Sequence, residues 1–384
     1  MYEYATNCPE DDRGNVTAHR LGVATALVDG EWVAGDVVVD DGVVRDVGVT
    51  PAGKHGCAVP GFVDVQVNGF AGVSFTACDR AGFDRAAATI ATHGVTSFLP
   101  TIPTARPDEY PAALELAARA VADPSPGARP LGVHLEGPFL SVTRRGAHQS
   151  EWLRAPDVSL ASDLLSRAPV TVMTLAPELD GAAAVIDLLR SRGVVVAAGH
   201  TDATGEQAHL AFDDGVAMVT HLWNAQRPIT SREPGLAGVA LTRPGVFVGI
   251  IADLVHVCAE TLALSLHALG ERAVIVTDAA AAAGLPTGEH DTGGRTVVVR
   301  DRAVFLPDGT LTGAAVGLDA CVRNAVRVGR SLAQAVHAVT AAPARAIGRD
   351  DIGQMRPGAR ADVVVLDDEL AVRQVLVAGA AVAP

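Results

Sequence analysis

GVVVAAGHT, residues 193–201, passes through seven small or apolar residues and then stops on an imidazole, His200. An apolar run with no polar alternate reads as a strand buried on both faces, which belongs to a parallel sheet covered by helices. Seven further runs have the same character: GFVDVQV (61–67), GVTSFLPT (94–101), PLGVHLE (130–136), VTVMTLA (170–176), GVAMVTH (215–221), VFVGIIAD (246–253) and AVIVTD (273–278). Alanine-rich stretches of helical period separate several of them, at 83–92, 109–121, 182–191, 206–213 and 259–269. Eight strands alternating with helices predict an α/β fold, a TIM (β/α)8 barrel.

The two ends of the chain read differently. ATALVDGEWVAG (24–35) and DVVVDDGVVRDVG (36–48) alternate short β-like runs with Asp-Gly turns, and ADVVVLDDELAVRQVLVAGAAV (361–382) has the same pattern. The expectation is a small antiparallel β-sandwich built from both termini, residues 1–58 and 349–384, flanking a barrel over 59–348.

Composition limits the chemistry. No apolar run approaches the ~20 residues that span a bilayer, and MYEYATNCPEDDRGN at the start has no basic-then-apolar leader, so a soluble cytoplasmic protein is expected. The five cysteines (Cys8, Cys57, Cys78, Cys258, Cys321) are odd in number and scattered, which predicts reduced, mostly buried thiols. A formal charge of -14 disfavours nucleic acid and anionic membranes, so an anionic substrate needs a local cluster of cations. Lys54 is the only lysine and precedes the barrel, which closes Schiff-base chemistry and any metal pair bridged by a carboxylated lysine.

Four polar residues end four of the apolar runs: Glu136, His200, His221 and Asp278. In a barrel the C-terminal ends of the strands carry the catalytic groups. One carboxylate and two imidazoles form a three-ligand metal site with an open position, and Asp278 is placed to move protons as general base and then general acid. The small residues Ala197, Ala198 and Gly199 leave room for an ion, while Thr201 and Asp202 are candidates to orient His200. A salt bridge at Glu136, a satisfied core histidine at 200 and a helix cap at 278 are the structural alternatives. His209, His267 and His337 fall in predicted helices and read as surface or packing residues. His148 and His256 follow strands near the barrel mouth and read as substrate contacts, with His134 behind Glu136. Arg232, together with Arg144 or Arg145, offers bidentate hydrogen bonds to an anion.

PGFVDVQVNGFAGVSF (60–75), HLEGPFLS (134–141) with RGAHQ (145–149), GHTDAT (199–204), HLWNAQRPITSREPGLAG (221–238), ADLVHV (252–257), VTDAAAAAG (276–284) and GTLTGAAVGLDACVRN (309–324), in this order, closely resemble the N-acetylglucosamine-6-phosphate deacetylases of the amidohydrolase superfamily. AAPARAIG (341–348) with GQMRPGARADVVVLD (353–367) resembles that superfamily's return to its β domain. The resemblance implies metal binding by Glu136, His200 and His221 and acid/base catalysis by Asp278. It implies substrate contacts at Ala147, His148, Asn224, Ala225, Arg232, Asp253 with His256, and a Leu311-Thr312-Gly313 turn. It further implies a homodimer whose second subunit helps hold the sugar phosphate. Most amidohydrolases carry His-x-His on the first strand; this chain has Gln66-Val67-Asn68, and neutral amides are poor metal ligands. One divalent ion per subunit is therefore expected, zinc first, with iron(II) or another ion as alternatives. The expected reaction is hydrolysis of the N-acetyl group of N-acetyl-D-glucosamine 6-phosphate. Its alternatives are the galactosamine epimer and a non-catalytic metal-binding paralogue. A nucleobase deaminase would need the missing His-x-His, and many cyclic amidases would need the missing lysine.

Overall fold

The computed structural model describes residues 18–382. All eight apolar runs form strands: β1 Phe62–Val67, β2 Val95–Pro103, β3 Val133–Glu136, β4 Val170–Leu175, β5 Val195–Ala198, β6 Met218–Val219, β7 Phe247–Ile251 and β8 Ala273–Val276. Each pairs in parallel with its sequence neighbour from β1 to β8. The ring is completed just beyond β8, where Asp278 N–H donates to the Gln66 carbonyl and Asn68 N–H to the Ala279 carbonyl, each at 2.9 Å.

Both faces of the strands are apolar because both are covered. Val63, Val65, Leu99, Val172, Ala197, Met218, Ile251, Val274 and Val276 fill the barrel interior. Their alternates, such as Phe62, Val67, Phe98 and Ile102, join the larger core shared with the surrounding helices. Those helices are α1 Arg80–Thr92, α2 Tyr110–Ala122, α3 Val158–Arg167, α4 Ala182–Ser191, α5 Gly205–Asp213, α6 Gly235–Thr242 and α7 Ala259–Leu269, one after each of the first seven strands. Five match the predicted helical stretches; α3 and α6 do not appear in the sequence reading. α6, GLAGVALT, is apolar nearly all round and carries no stripe, and α3 buries only Ala161 and Leu164.

The small residues before His200 serve packing across the barrel. A Cβ on Gly199 would lie 2.8 Å from Thr220 Cβ and 2.9 Å from Thr174 Cγ2. Gly199→Ala is therefore expected to lower stability by about 1–3 kcal/mol through overpacking, read from the shift of the urea unfolding midpoint.

The termini meet as the patterning predicts. Val363–Leu366 pairs antiparallel with His55–Pro60 at the centre of a six-stranded sheet. A three-stranded sheet of His19–Arg20, Asp36–Asp40 and Val43–Val49 contributes Val37, Val39 and Val44 to a common core with Val23, Val363 and Leu376. The larger sheet is mixed rather than antiparallel throughout, since Val23–Val28 runs parallel to His55–Pro60. The connection between those two strands is long enough for a crossover because it carries strands of the second sheet.

One element was not anticipated. Between β8 and the helix Leu318–Arg327, α8, lies a four-stranded antiparallel flap: Gly288–Asp291, Thr296–Arg300, Ala303–Phe305 and Leu311–Ala314. Leu311, Thr312 and Gly313 thus sit in a strand, not in a turn. Among the described residues no helix is long and apolar enough to cross a membrane. The four described cysteines are free, but only Cys57 and Cys321 are buried; Cys78 is half-buried and Cys258 exposed, whereas Cys8 lies outside the described residues.

Candidate active site

The strand ends bring Glu136, His200, His221 and Asp278 to one cavity of about 370 Å³ at the C-terminal mouth of the barrel. His200, His221 and Asp278 each leave their strands through the left-handed region, with φ of 48°, 30° and 49°. Such a conformation costs a non-glycine residue of order 1–3 kcal/mol and is held only where surrounding structure enforces it. Here it turns three side chains from the barrel wall into its mouth.

The donors converge closely. His221 Nε2 lies 3.0 Å from both Glu136 Oε1 and His200 Nε2, and His200 Nε2 is 3.3 Å from the same carboxylate oxygen. His200 Nδ1 is 3.0 Å from the carbonyl of Arg144, which can only accept, so the proton resides on Nδ1 and Nε2 presents its lone pair to the centre. The predicted orienters act less directly. Thr201 donates to Glu178, and Asp202 reaches His200 through Arg144, whose guanidinium it binds at 2.7 Å. His148 completes the cluster, with Nε2 3.9 Å from Glu136 Oε2 and its ring edge-on to His200. Glu136, His148 and His200 also form a donor group compact enough for one ion.

Electrostatics suit a cation. Burial alone would raise the Glu136 carboxyl, yet the His200 and His221 imidazoles beside it outweigh that and hold the group well below the usual carboxylate range. A buried anion facing unprotonated nitrogens is costly unless positive charge compensates it. Burial, then the charge of Glu136, pushes the Asp278 carboxyl up to about 7. His148 is lowered to about 3 by burial and next by His200, so it is a neutral imidazole.

Gln66 and Asn68 occupy the floor. Gln66 Nε2 donates to Glu136 Oε1 at 3.1 Å and to Asp278 Oδ1 at 3.2 Å, and Asn68 Nδ2 donates to the same Asp278 oxygen at 2.7 Å. The two amides thus brace the carboxylates as hydrogen-bond donors. Asp278 caps no helix; Ala279 to Gly284 form bridge and turn.

Of the expected substrate contacts, Ala147, His148, Asn224, Ala225, His256, Leu311 and Thr312 line the cavity. Asp253 does not. It is fully buried and holds His256, with Oδ2 2.7 Å from Nδ1. Burial would raise the Asp253 carboxyl, but hydrogen bonds from His256 and the backbone keep it below its ordinary value. Gly313 lies beside the Asp278 backbone, and Arg232 is exposed outside the lining. His134 is hydrogen-bonded between the Val65 carbonyl and Thr174 beneath the site.

A model of the amidohydrolase family matches residues 57–382. The chain belongs to the amidohydrolase family. Within it, the N-acetylglucosamine-6-phosphate deacetylase of Danio rerio is 39% identical over 337 residues, covering 83% of each chain. The N-acetylgalactosamine-6-phosphate deacetylase of Escherichia coli O157:H7 is 36% identical over 324 residues, covering 83% of this chain and 86% of that one. Among solved structures, an aspartate-to-alanine mutant of Mycobacterium smegmatis N-acetyl-D-glucosamine-6-phosphate deacetylase, in complex with N-acetyl-D-glucosamine-6-phosphate, superposes with a TM-score of 0.90. It is 35% identical, covering 97% of this chain and 100% of that one. The fold extends to more distant proteins such as a molinate hydrolase, 18% identical with a TM-score of 0.62.

The sequence reading of this amidohydrolase missed one cavity residue of consequence. Arg295, in the flap, lines the cavity. Its signal is faint: an arginine after a Gly-Gly pair, outside the apolar runs that read as strands.

Proposed function

We propose that this chain hydrolyses the N-acetyl group of N-acetyl-D-glucosamine 6-phosphate to acetate and D-glucosamine 6-phosphate. The convergence of Glu136, His200 and His221 at 3.0–3.3 Å, with Asp278 on the same cavity, carries the reading. Ligands at roughly 2.0–2.1 Å from a tetrahedral zinc ion stand about 3.3 Å apart, so this donor set fits one ion. His148, farther from Glu136, is kept for substrate.

Glu136, His200 and His221 would hold a divalent ion, zinc by their nitrogen and oxygen donors, and when bound it would supply polarisation of the amide carbonyl and a lowered pKa of water. The chain supplies the proton transfers. Gln66 and Asn68 both donate to Oδ1 of Asp278, which leaves Oδ2 to take the proton of the attacking water. The same oxygen then returns the proton to the departing amine nitrogen. His148, a neutral imidazole on the cavity wall, is placed to steady the developing oxyanion. The backbone of Ala147 and Ala225, with Asn224 and His256, surrounds the sugar. Arg232, exposed on its own protomer, is assigned to a partner subunit's cavity in a cytoplasmic homodimer.

The test couples metal analysis to acetate release from the two epimeric amino-sugar 6-phosphates. The expected outcome is one ion per chain and faster release from the gluco epimer. Two ions per chain, or ammonia from nucleobases without acetate from either sugar, would overturn the reading.

A further inference from the structure

Within one protomer, the flap brings a guanidinium to the cavity. Among the described residues lining the cavity, Arg295 is the sole Lys or Arg, set among four imidazoles and two carboxylates. The other candidate arginines are engaged elsewhere or outside. Arg144 is bound to Asp202, Arg145 donates to the His148 carbonyl, and Arg232 does not reach the lining.

The position of Arg295 is built. Thr292-Gly293-Gly294-Arg295 is the tip of the hairpin joining Gly288–Asp291 to Thr296–Arg300, and the two glycines have φ of 66° and 78°. Two left-handed central residues make the tight hairpin turn whose twist matches its strands. Reciprocal backbone bonds between Thr292 and Arg295 and a bond from Gly294 N–H to Asp291 fix it. Arg295 spends a single side-chain hydrogen bond, Nη2 to the Ala147 carbonyl at 3.3 Å, and so leans over the loop that carries His148. The rest of its fork of donors remains to meet a ligand.

We propose that Arg295 is a substrate-binding residue that recognises the anionic end of the ligand, a phosphate monoester, within its own protomer. This assignment rests on the amino-sugar phosphate reading above. The protein as a whole is acidic, with a formal charge of -14, so an anion is held here by local donors and not by the global field. A planar guanidinium offers a phosphate two parallel charge-assisted hydrogen bonds.

The test compares metal-loaded wild type, Arg295→Gln and Arg295→Lys on N-acetylglucosamine with and without its 6-phosphate. It also measures binding of inorganic phosphate by calorimetry. The expected result for Arg295→Gln is a KM for the phosphorylated sugar raised about 10- to 100-fold, with kcat nearly unchanged and no loss on the unphosphorylated sugar. Arg295→Lys should recover part of that loss. Equal losses on both sugars would reduce Arg295 to a structural tie between flap and loop and overturn the proposal, as would unchanged KM values. If wild type releases no acetate yet binds inorganic phosphate in a manner abolished by Arg295→Gln, the reaction assignment fails while the anion site stands.

Discussion

Asp278→Asn is expected to leave metal content near one ion per chain while acetate release falls by about 10²- to 10⁴-fold, the usual contribution of a positioned acid/base group. Asparagine keeps the shape, and its carbonyl oxygen still accepts from Gln66 and Asn68 as Oδ1 does now. What it loses is the ability to carry a proton between water and amine. Folding is not at risk, because the change removes a buried charge that faces Glu136. A second measurement separates the effects. In the metal-free protein the Asp278 carboxyl stands at about 7 against an ordinary 3.8, so the folded state holds its proton more tightly than the unfolded chain does. Wild type must then lose stability as pH rises from about 3.8 to about 7, and the slope should be shallower in Asp278→Asn. Some slope remains, because burial also raises Asp64, bonded to Thr277, to about 7. Unchanged turnover in the variant would remove Asp278 from the mechanism.

The barrel was legible because its strands are covered on both sides. A strand such as Val195–Ala198 must be apolar at every position, and such a run cannot be mistaken for a half-solvated hairpin. The four strand-end residues were legible because a barrel gathers the C-terminal ends of its strands at one mouth. The flap obeys neither rule. Gly288–Asp291 alternates half-buried and exposed positions without an apolar face, and Ala303–Phe305 is three residues long. Its pairing is set by turns and by what it covers, which local pattern does not encode. Arg295 was missed with it. Asp253 was drawn toward the ligand because a buried carboxylate beside His256 reads alike whether it lines the cavity or holds the imidazole that does. Gln66 and Asn68 were set apart from the expected metal ligands by the chemistry of amides, but their shared grip on Asp278 needed the closure of β8 against β1.

His221→Ala and His148→Ala are expected to split what the clustered donors leave joined. The separations favour His221 as the ligand: its Nε2 is 3.0 Å from both Glu136 and His200, whereas His148 approaches Glu136 only to 3.9 Å. Loss of a residue that merely supports a ligand lowers metal affinity by about 10- to 100-fold, so loss of a ligand itself must exceed that. After dialysis His221→Ala should hold less than about a tenth of an ion per chain, with acetate release lost and only partly restored by excess metal. His148→Ala should retain its ion while kcat falls by about 10²- to 10³-fold, the effect of removing one oxyanion donor. The Nδ1 atoms of both rings are buried without a partner, and Glu136 keeps Gln66 and His200 beside it when His221 is truncated, so both variants should fold. Retention of the ion by His221→Ala and its loss from His148→Ala would move the metal to Glu136, His148 and His200. In that arrangement His221 would be the imidazole turned to the substrate carbonyl.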